Sequence, residues 1–111
     1  MNRNPQLPLT ETVFYILLAL IEPAHGYVIM ARVESMSGGA VRLAPGTLYG
    51  ALDTLLKQNM IARVTSPDPR RKVYLITESG YQTLGQDAER MAHLVRMFNQ
   101  TRPDQTRGES E

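Results

Sequence analysis

The side chains best equipped for chemistry in this sequence are hydroxyls, phenols and cations, and they gather in its middle third. Thr47 and Tyr49 follow Pro45-Gly46, and Lys57 lies further along the same segment. Arg70, Arg71 and Lys72 form an unbroken basic cluster, while Tyr27 comes directly after His25-Gly26. A hydroxyl or phenol can bond a phosphate oxygen or a base edge, and clustered cations hold phosphates. Gly46, at the start of a helix, lets the backbone approach a phosphate where free N–H groups point outward. This is the chemistry of recognition rather than of bond-making. The chain has no cysteine, which excludes thiolate zinc sites and cysteine nucleophiles. His25 and His93 are far apart and lack metal-type spacing; His25 reads as a cap or turn residue. No nucleophile–base pair, carboxylate dyad or phosphate loop can be placed. The expectation is a protein that is not an enzyme and has no metal and no cofactor.

Composition is that of an ordinary globular domain, 42% hydrophobic and 21% charged. At 111 residues the chain is one domain, small enough for a partner chain to add much of the burial. Net charge is only +1, but residues 25–72 hold seven Lys and Arg against three acidic residues. Positive charge therefore surrounds the candidate residues, as a nucleic-acid face on a near-neutral body requires. The longest apolar run, Val13 to Ile21, is too short to cross a bilayer. The polar start has no signal-peptide pattern. A cytoplasmic protein with no membrane partner is expected.

Four helices and a hairpin must position these groups. A first helix is expected from Thr10, as N-cap, to Ile21; it is apolar on nearly all sides and needs cover on nearly all sides. A second runs from Gly26 to Ser37, burying Ile29, Met30, Val33 and Met36, and stops at Gly38-Gly39. The third opens on Pro45, whose missing N–H costs nothing there. It buries Leu48, Leu52, Leu55 and Leu56, turns Thr47, Tyr49, Gly50, Asp53, Thr54 and Lys57 outward, and ends at Asn59. Ile61–Thr65 and Lys72–Thr77 read as strands around the turn-rich Ser66–Arg71. The last helix, capped by Thr77, repeats Tyr81, Leu84, Ala88, Met91, Val95 and Phe98 at alternating steps of three and four, the seam of a helix lying along another helix.

Three helices followed by a two-stranded hairpin describe a winged helix-turn-helix with the third helix in the reading position and a basic wing tip. The fold class is mainly α (α+β), a winged helix-turn-helix with a C-terminal dimerisation helix. The expected organisation is a flexible N-terminus at 1–8, the DNA-binding domain at 9–77, the dimerisation helix at 78–100 and a disordered tail at 101–111.

Four patches resemble the PadR family of bacterial transcriptional regulators: Tyr15–Leu20; His25-Gly26-Tyr27; Pro45–Tyr49 with Ala51-Leu52; and Arg70–Thr77 followed by Gly80. The match extends from about Leu9 to Leu94. It implies a cytoplasmic, homodimeric winged-helix repressor whose last helix, helped by the first, forms the dimer interface. It resembles the small branch of the family, with a single C-terminal helix. Some small members stack planar drugs on a tryptophan of that helix; this chain has no Trp, though Met91, Val95 and Phe98 could line an apolar cleft for a small-molecule effector.

The expected DNA-binding residues are thus Tyr27, Gly46, Thr47, Tyr49, Lys57, Arg70, Arg71 and Lys72. The expected dimer interface comprises Phe14, Leu17, Leu84, Ala88, Met91, Val95 and Phe98. The partners are double-stranded promoter DNA and a second copy of the chain, acting as a ligand-responsive repressor on an inverted-repeat operator. The competing reading is a winged-helix protein-interaction module without DNA binding, for which the basic wing would have no use.

Overall fold

Local capping chemistry sets most of the element boundaries. The computed structural model describes residues 4–101 and 103. Helix α1 spans Glu11–Ala19, and the Thr10 hydroxyl accepts the Val13 N–H at 3.1 Å. It ends two residues before the sequence expectation, and its terminal carbonyls are held from outside. The Arg32 guanidinium donates to the Ala19 carbonyl at 2.7 Å and to the Glu22 carbonyl at 3.0 Å. Arg32 therefore belongs to the scaffold, not to the basic face.

Helix α2 covers Gly26–Met36 and closes with a Schellman motif. Gly38 and Gly39 have φ of 62° and 85°; their N–H groups donate to Ser35 and Glu34 carbonyls at 3.2 and 2.8 Å. The Ser37 hydroxyl accepts the Val41 N–H at 2.9 Å, folding the chain toward the next helix. Helix α3 covers Pro45–Lys57 with Pro45 in its first turn. It closes in the same way: Asn59 takes φ 59°, and Asn59 and Met60 donate to Leu56 and Leu55 carbonyls at 3.1 and 3.0 Å. Asn is among the few residues besides glycine that take this conformation readily.

The sheet has three strands, one more than the sequence reading contained. β1 is Ala24–His25, β2 is Ile61–Val64 and β3 is Val73–Ile76, in the order β1-β3-β2, all antiparallel. Ala24 faces Tyr74 and His25 faces Val73, while Ile61 faces Ile76 at the other edge. The extra strand is the segment before α2, Ala24-His25, which pairs with the hairpin.

Helix α4 spans Glu78–Thr101. Thr77 caps it, accepting the Gly80 N–H at 3.0 Å. Gly80 is required: a Cβ there would collide with the Met60 carbonyl oxygen and lie 2.9 Å from the Met60 carbonyl carbon. The start of α4 is pressed onto the end of α3, where the Thr77 N–H and hydroxyl donate to Met60 and Asn59 carbonyls at 3.0 and 2.6 Å.

The core joins Ile16, Leu17 and Leu20 of the α1 region to Ile29 and Val33 of α2, Leu48, Leu52 and Leu55 of α3, and Met60, Ile61, Tyr74 and Leu84. Each fully buried leucine contributes about 1.5–3 kcal/mol, so the inner stripe of α3 anchors that helix firmly. Met36 of α2, expected inside, is exposed instead. Residues 4–8 lie against the start of α4. The Leu7 N–H donates to Asn4, and the Asn4 amide reaches Thr83 and Gln86 of α4 at 3.3 and 2.9 Å. Residues 1–3, and the expected tail except Thr101 and Pro103, lie outside the described residues.

Candidate nucleic-acid interface

With Leu48, Leu52 and Leu55 inside, helical geometry leaves Gly46, Thr47, Tyr49, Gly50, Asp53, Thr54 and Lys57 on the outer face of α3. All seven are exposed, as the spacing predicts. A Cβ placed on Gly46 or Gly50 would meet nothing within 4 Å. Nothing inside the protomer requires glycine at either position, yet a mid-helix glycine such as Gly50 costs about 1 kcal/mol relative to alanine. Gly50 lies on the outward face that the spacing predicts, though not among the expected DNA-binding residues. Its open surroundings leave the helix backbone accessible at that point. Lys57 lies about 15 Å along the axis from Thr47 at 1.5 Å per residue, so α3 does not bring those two together.

Tyr49 is 46% exposed, but its ring is not free. Its phenol lies over the start of α2, where a Cβ on Gly26 would collide with the hydroxyl and sit 3.0 Å from Cζ. Gly26 is thus what allows α2 and α3 to approach. Immediately before it, β1 binds to β3 with His25 opposite Val73, the residue after Lys72. The two juxtapositions bring His25, Gly26, Tyr49, Arg70, Arg71 and Lys72 around one cleft of about 340 Å³. His25 occupies the N-cap position of α2, yet its side chain makes no cap hydrogen bond. It lines the cleft instead. The sequence signal for this was weak, because the strand that carries His25 is only two residues long.

The wing tip is held by Asp68. The Arg70 N–H donates to its Oδ1 at 3.0 Å, the Arg70 guanidinium lies 3.2 Å from the same oxygen, and the Arg71 guanidinium lies 4.0 Å from Oδ2. Asp68 in turn donates its own N–H to the Ser66 hydroxyl at 3.2 Å. The Arg70 N–H, then its guanidinium, hold the Asp68 carboxyl below its ordinary value of 3.8. A lowered carboxylate pKa stabilises the folded turn at neutral pH, and that contribution is lost only in acid, as pH falls through the lowered value. Lys72 has no ion pair among the described residues.

Tyr27, 73% exposed, projects from the first turn of α2 beside a larger open hollow of about 730 Å³. That hollow also contains Glu34 and Arg42, whose side chains approach to 4.0 Å. Tyr74, by contrast, is buried in the core, and burial pushes its phenol above the ordinary value of 10.0.

Of the apolar stripe along α4 only Leu84 is buried, and Tyr81 before it is exposed. Gly80, Thr83, Leu84 and Asp87 are buried against the protomer's own domain, with Asp87 paired to Arg90 at 2.6 Å. Beyond that point Met91, Leu94, Val95, Met97 and Phe98 are exposed, Val95 at 57% and Phe98 at 65%. This corrects the expected interface. Leu17 and Leu84 lie inside the protomer's core and have no surface for a partner. Phe14 is half-buried, and Ala88, Met91, Val95 and Phe98 are exposed. Among the described residues no helix is long and apolar enough to cross a membrane, and no group of histidine and acidic side chains could hold a metal.

Residues 16–86 match the transcriptional regulator PadR-like family. The chain is 38% identical over 92 residues to an uncharacterized 37.1 kDa protein in transposon Tn4556 of Streptomyces fradiae, covering 81% of this chain and 26% of that protein. It is 29% identical over 70 residues to the transcriptional regulator YqjI of Escherichia coli (strain K12), covering 63% of this chain and 33% of that protein. The chain thus spans between a quarter and a third of the length of these relatives. Among solved structures, a transcriptional regulator from Clostridium thermocellum superimposes with a TM-score of 0.67 at 25% identity, covering 82% of this chain and 92% of that one.

Proposed function

The chain belongs to the transcriptional regulator PadR-like family, and on that premise we propose that it is a homodimeric repressor that binds an inverted-repeat operator. The observation that carries this reading is the shared cleft, in which the reading helix, the start of α2 and the basic wing meet through Tyr49, His25 and Arg70–Lys72. Thr47 and Tyr49 on the exposed face of α3 then address a major groove, with Gly46 and Gly50 allowing close approach of its backbone. Tyr27 and the wing cations Arg70, Arg71 and Lys72 take the flanking phosphates, and Lys57 reaches the backbone at the far end of α3.

The exposed second half of α4, with Ala88, Met91, Val95 and Phe98, supplies the surface for a second copy, with Phe14 of α1 at its margin. Two reading helices related by a two-fold axis fit half-sites about 34–36 Å apart. A small molecule seated among the α4 side chains would act by favouring a different separation of the two reading heads. The protein works where the chromosome is, in the cytoplasm.

The test is the salt dependence of DNA binding. Replacing Arg70, Arg71 and Lys72 together by Ala weakens binding to every duplex and lowers the slope of log K against log salt by about 0.9 for each phosphate released. An unchanged slope would show that the wing does not touch DNA. Wild-type protein that fails to bind duplex DNA at low salt would favour the interaction-module reading.

A further inference from the structure

We propose that the cleft between the start of α2 and the wing seats a single DNA phosphate, with His25 as its proton-linked contact, so that DNA affinity rises as pH falls through the histidine range. The proposal rests on the DNA-binding reading above and adds to it a specific residue and a regulatory consequence.

Five of the six residues that line the cleft carry a side chain able to bond a phosphate oxygen: His25, Tyr49, Arg70, Arg71 and Lys72. None of the lining residues is acidic. The larger hollow beside Tyr27 is different, because its one cation, Arg42, lies 4.0 Å from the Glu34 carboxylate and is paired with it. The cleft is also fixed in place. The β1–β3 pairing sets His25 opposite Val73, and the missing side chain of Gly26 leaves room for the Tyr49 phenol to pack against the start of α2. The His25 imidazole is free for a ligand, since it makes no cap bond to α2 and is not among the side-chain hydrogen bonds of the described residues.

The groups around the imidazole are cations and phenols. Tyr49 comes from α3, Arg70, Arg71 and Lys72 come from the wing with Asp68 paired behind them, and Tyr27 follows on α2. Further back, Tyr74 on β3 has Arg63 and Asp53 as charged neighbours. Carboxylates, phenols, ammonium groups and guanidinium groups do not ordinarily titrate between pH 5 and 8; histidine does. A phosphodiester keeps its negative charge throughout this range. Once seated, it favours the imidazolium, which adds a charge-assisted hydrogen bond to those of the wing. Binding of DNA then takes up a proton at His25, and by linkage a lower pH strengthens binding.

The experiment uses the full chain and a fluorescein-labelled duplex of arbitrary sequence about two helical turns long. Phosphate contacts are independent of sequence, so no operator is needed. Affinity is measured by anisotropy from pH 5.5 to 8 at constant ionic strength for wild type, His25→Gln and, as a control, His93→Gln on exposed α4. Each unit by which the phosphate raises the imidazole midpoint gives about a tenfold gain in affinity at the acid end. The expected result is wild-type and His93→Gln affinity that rises about three- to tenfold per protomer from pH 8 to pH 6, with a flat profile for His25→Gln. A wild-type profile as flat as that of His25→Gln, or a slope that survives in His25→Gln, overturns the His25 assignment while leaving DNA binding intact. Absence of wild-type binding at every pH overturns the DNA reading itself and this proposal with it.

Discussion

Replacing Gly80 by Ala destabilises the protein, whereas the same change five residues later on the same helix stabilises it. The Cβ at position 80 would collide with the Met60 carbonyl oxygen and lie 3.0 Å from Cγ1 of Ile76, with buried surroundings that offer no exit. The obstacle is backbone, so α4 must shift. Overpacking of this kind costs about 1–3 kcal/mol. The shift also strains the Thr77 N–H bond to Met60, 3.0 Å long, and the Thr77 hydroxyl bond to Asn59, 2.6 Å long, each worth about 1 kcal/mol. Alanine returns at most about 1 kcal/mol of helix propensity. The net is a loss of about 2–3 kcal/mol, or a fall in Tm of roughly 10–20 °C for a domain of this size. At Gly85 a Cβ meets nothing within 4 Å, so Ala there adds about 0.5–1 kcal/mol and raises Tm by a few degrees. Thermal and urea melts followed by far-UV circular dichroism, at one fixed protomer concentration, measure both. If Gly80→Ala melts with or above Gly85→Ala, the close approach of α4 to the end of α3 does not limit stability and the reasoning fails.

Two further substitutions separate folding from function. Gly50→Ala fills open space on the outer face of α3, so it raises stability by about 0.5–1 kcal/mol while weakening binding to duplex DNA in a gel-shift titration; unchanged affinity would mean that no partner approaches the helix backbone there. Val95→Asp places a charge on an exposed position, so the protomer still folds, but sedimentation at micromolar concentration finds monomers. A persisting dimer would move the interface away from the second half of α4.

The features legible in the sequence are those set by neighbours along the chain. Thr10 and Thr77 announce helix starts, and Gly38 and Asn59 announce stops, because a cap bonds within three to five residues of itself. The inner stripe of α3 follows from its spacing alone. What sequence could not locate depends on contacts between distant segments. Ala24-His25 is too short for any period, and it becomes a strand only because β3 offers an open edge. Arg32 looked like one more positive charge until the end of α1 came to lie beneath it. The alternating apolar stripe from Tyr81 to Phe98 has one period throughout, yet Leu84 faces inward and Phe98 faces outward. Periodicity reports that a face is apolar; it does not report where the domain beneath that face ends.

The contacts that sequence could not supply are also those that join the parts of the proposed reading surface. Pairing of β1 with β3 attaches the start of α2 to the wing, and the fit of Tyr49 over Gly26 attaches the same point to α3. At the other end of α3, Asn59 and Met60 receive both hydrogen bonds from Thr77, directly ahead of α4. No free linker separates α4 from the reading helix. In a dimer joined through the exposed half of α4, a change in the angle between the two α4 helices must therefore move each α3 and its wing together. Control by a small molecule would then work through the spacing of two intact heads. It would leave the amides of α3 as protected from hydrogen exchange in the released state as in the protein without DNA or effector, and loss of that protection would instead mean that release comes from loosening within the protomer.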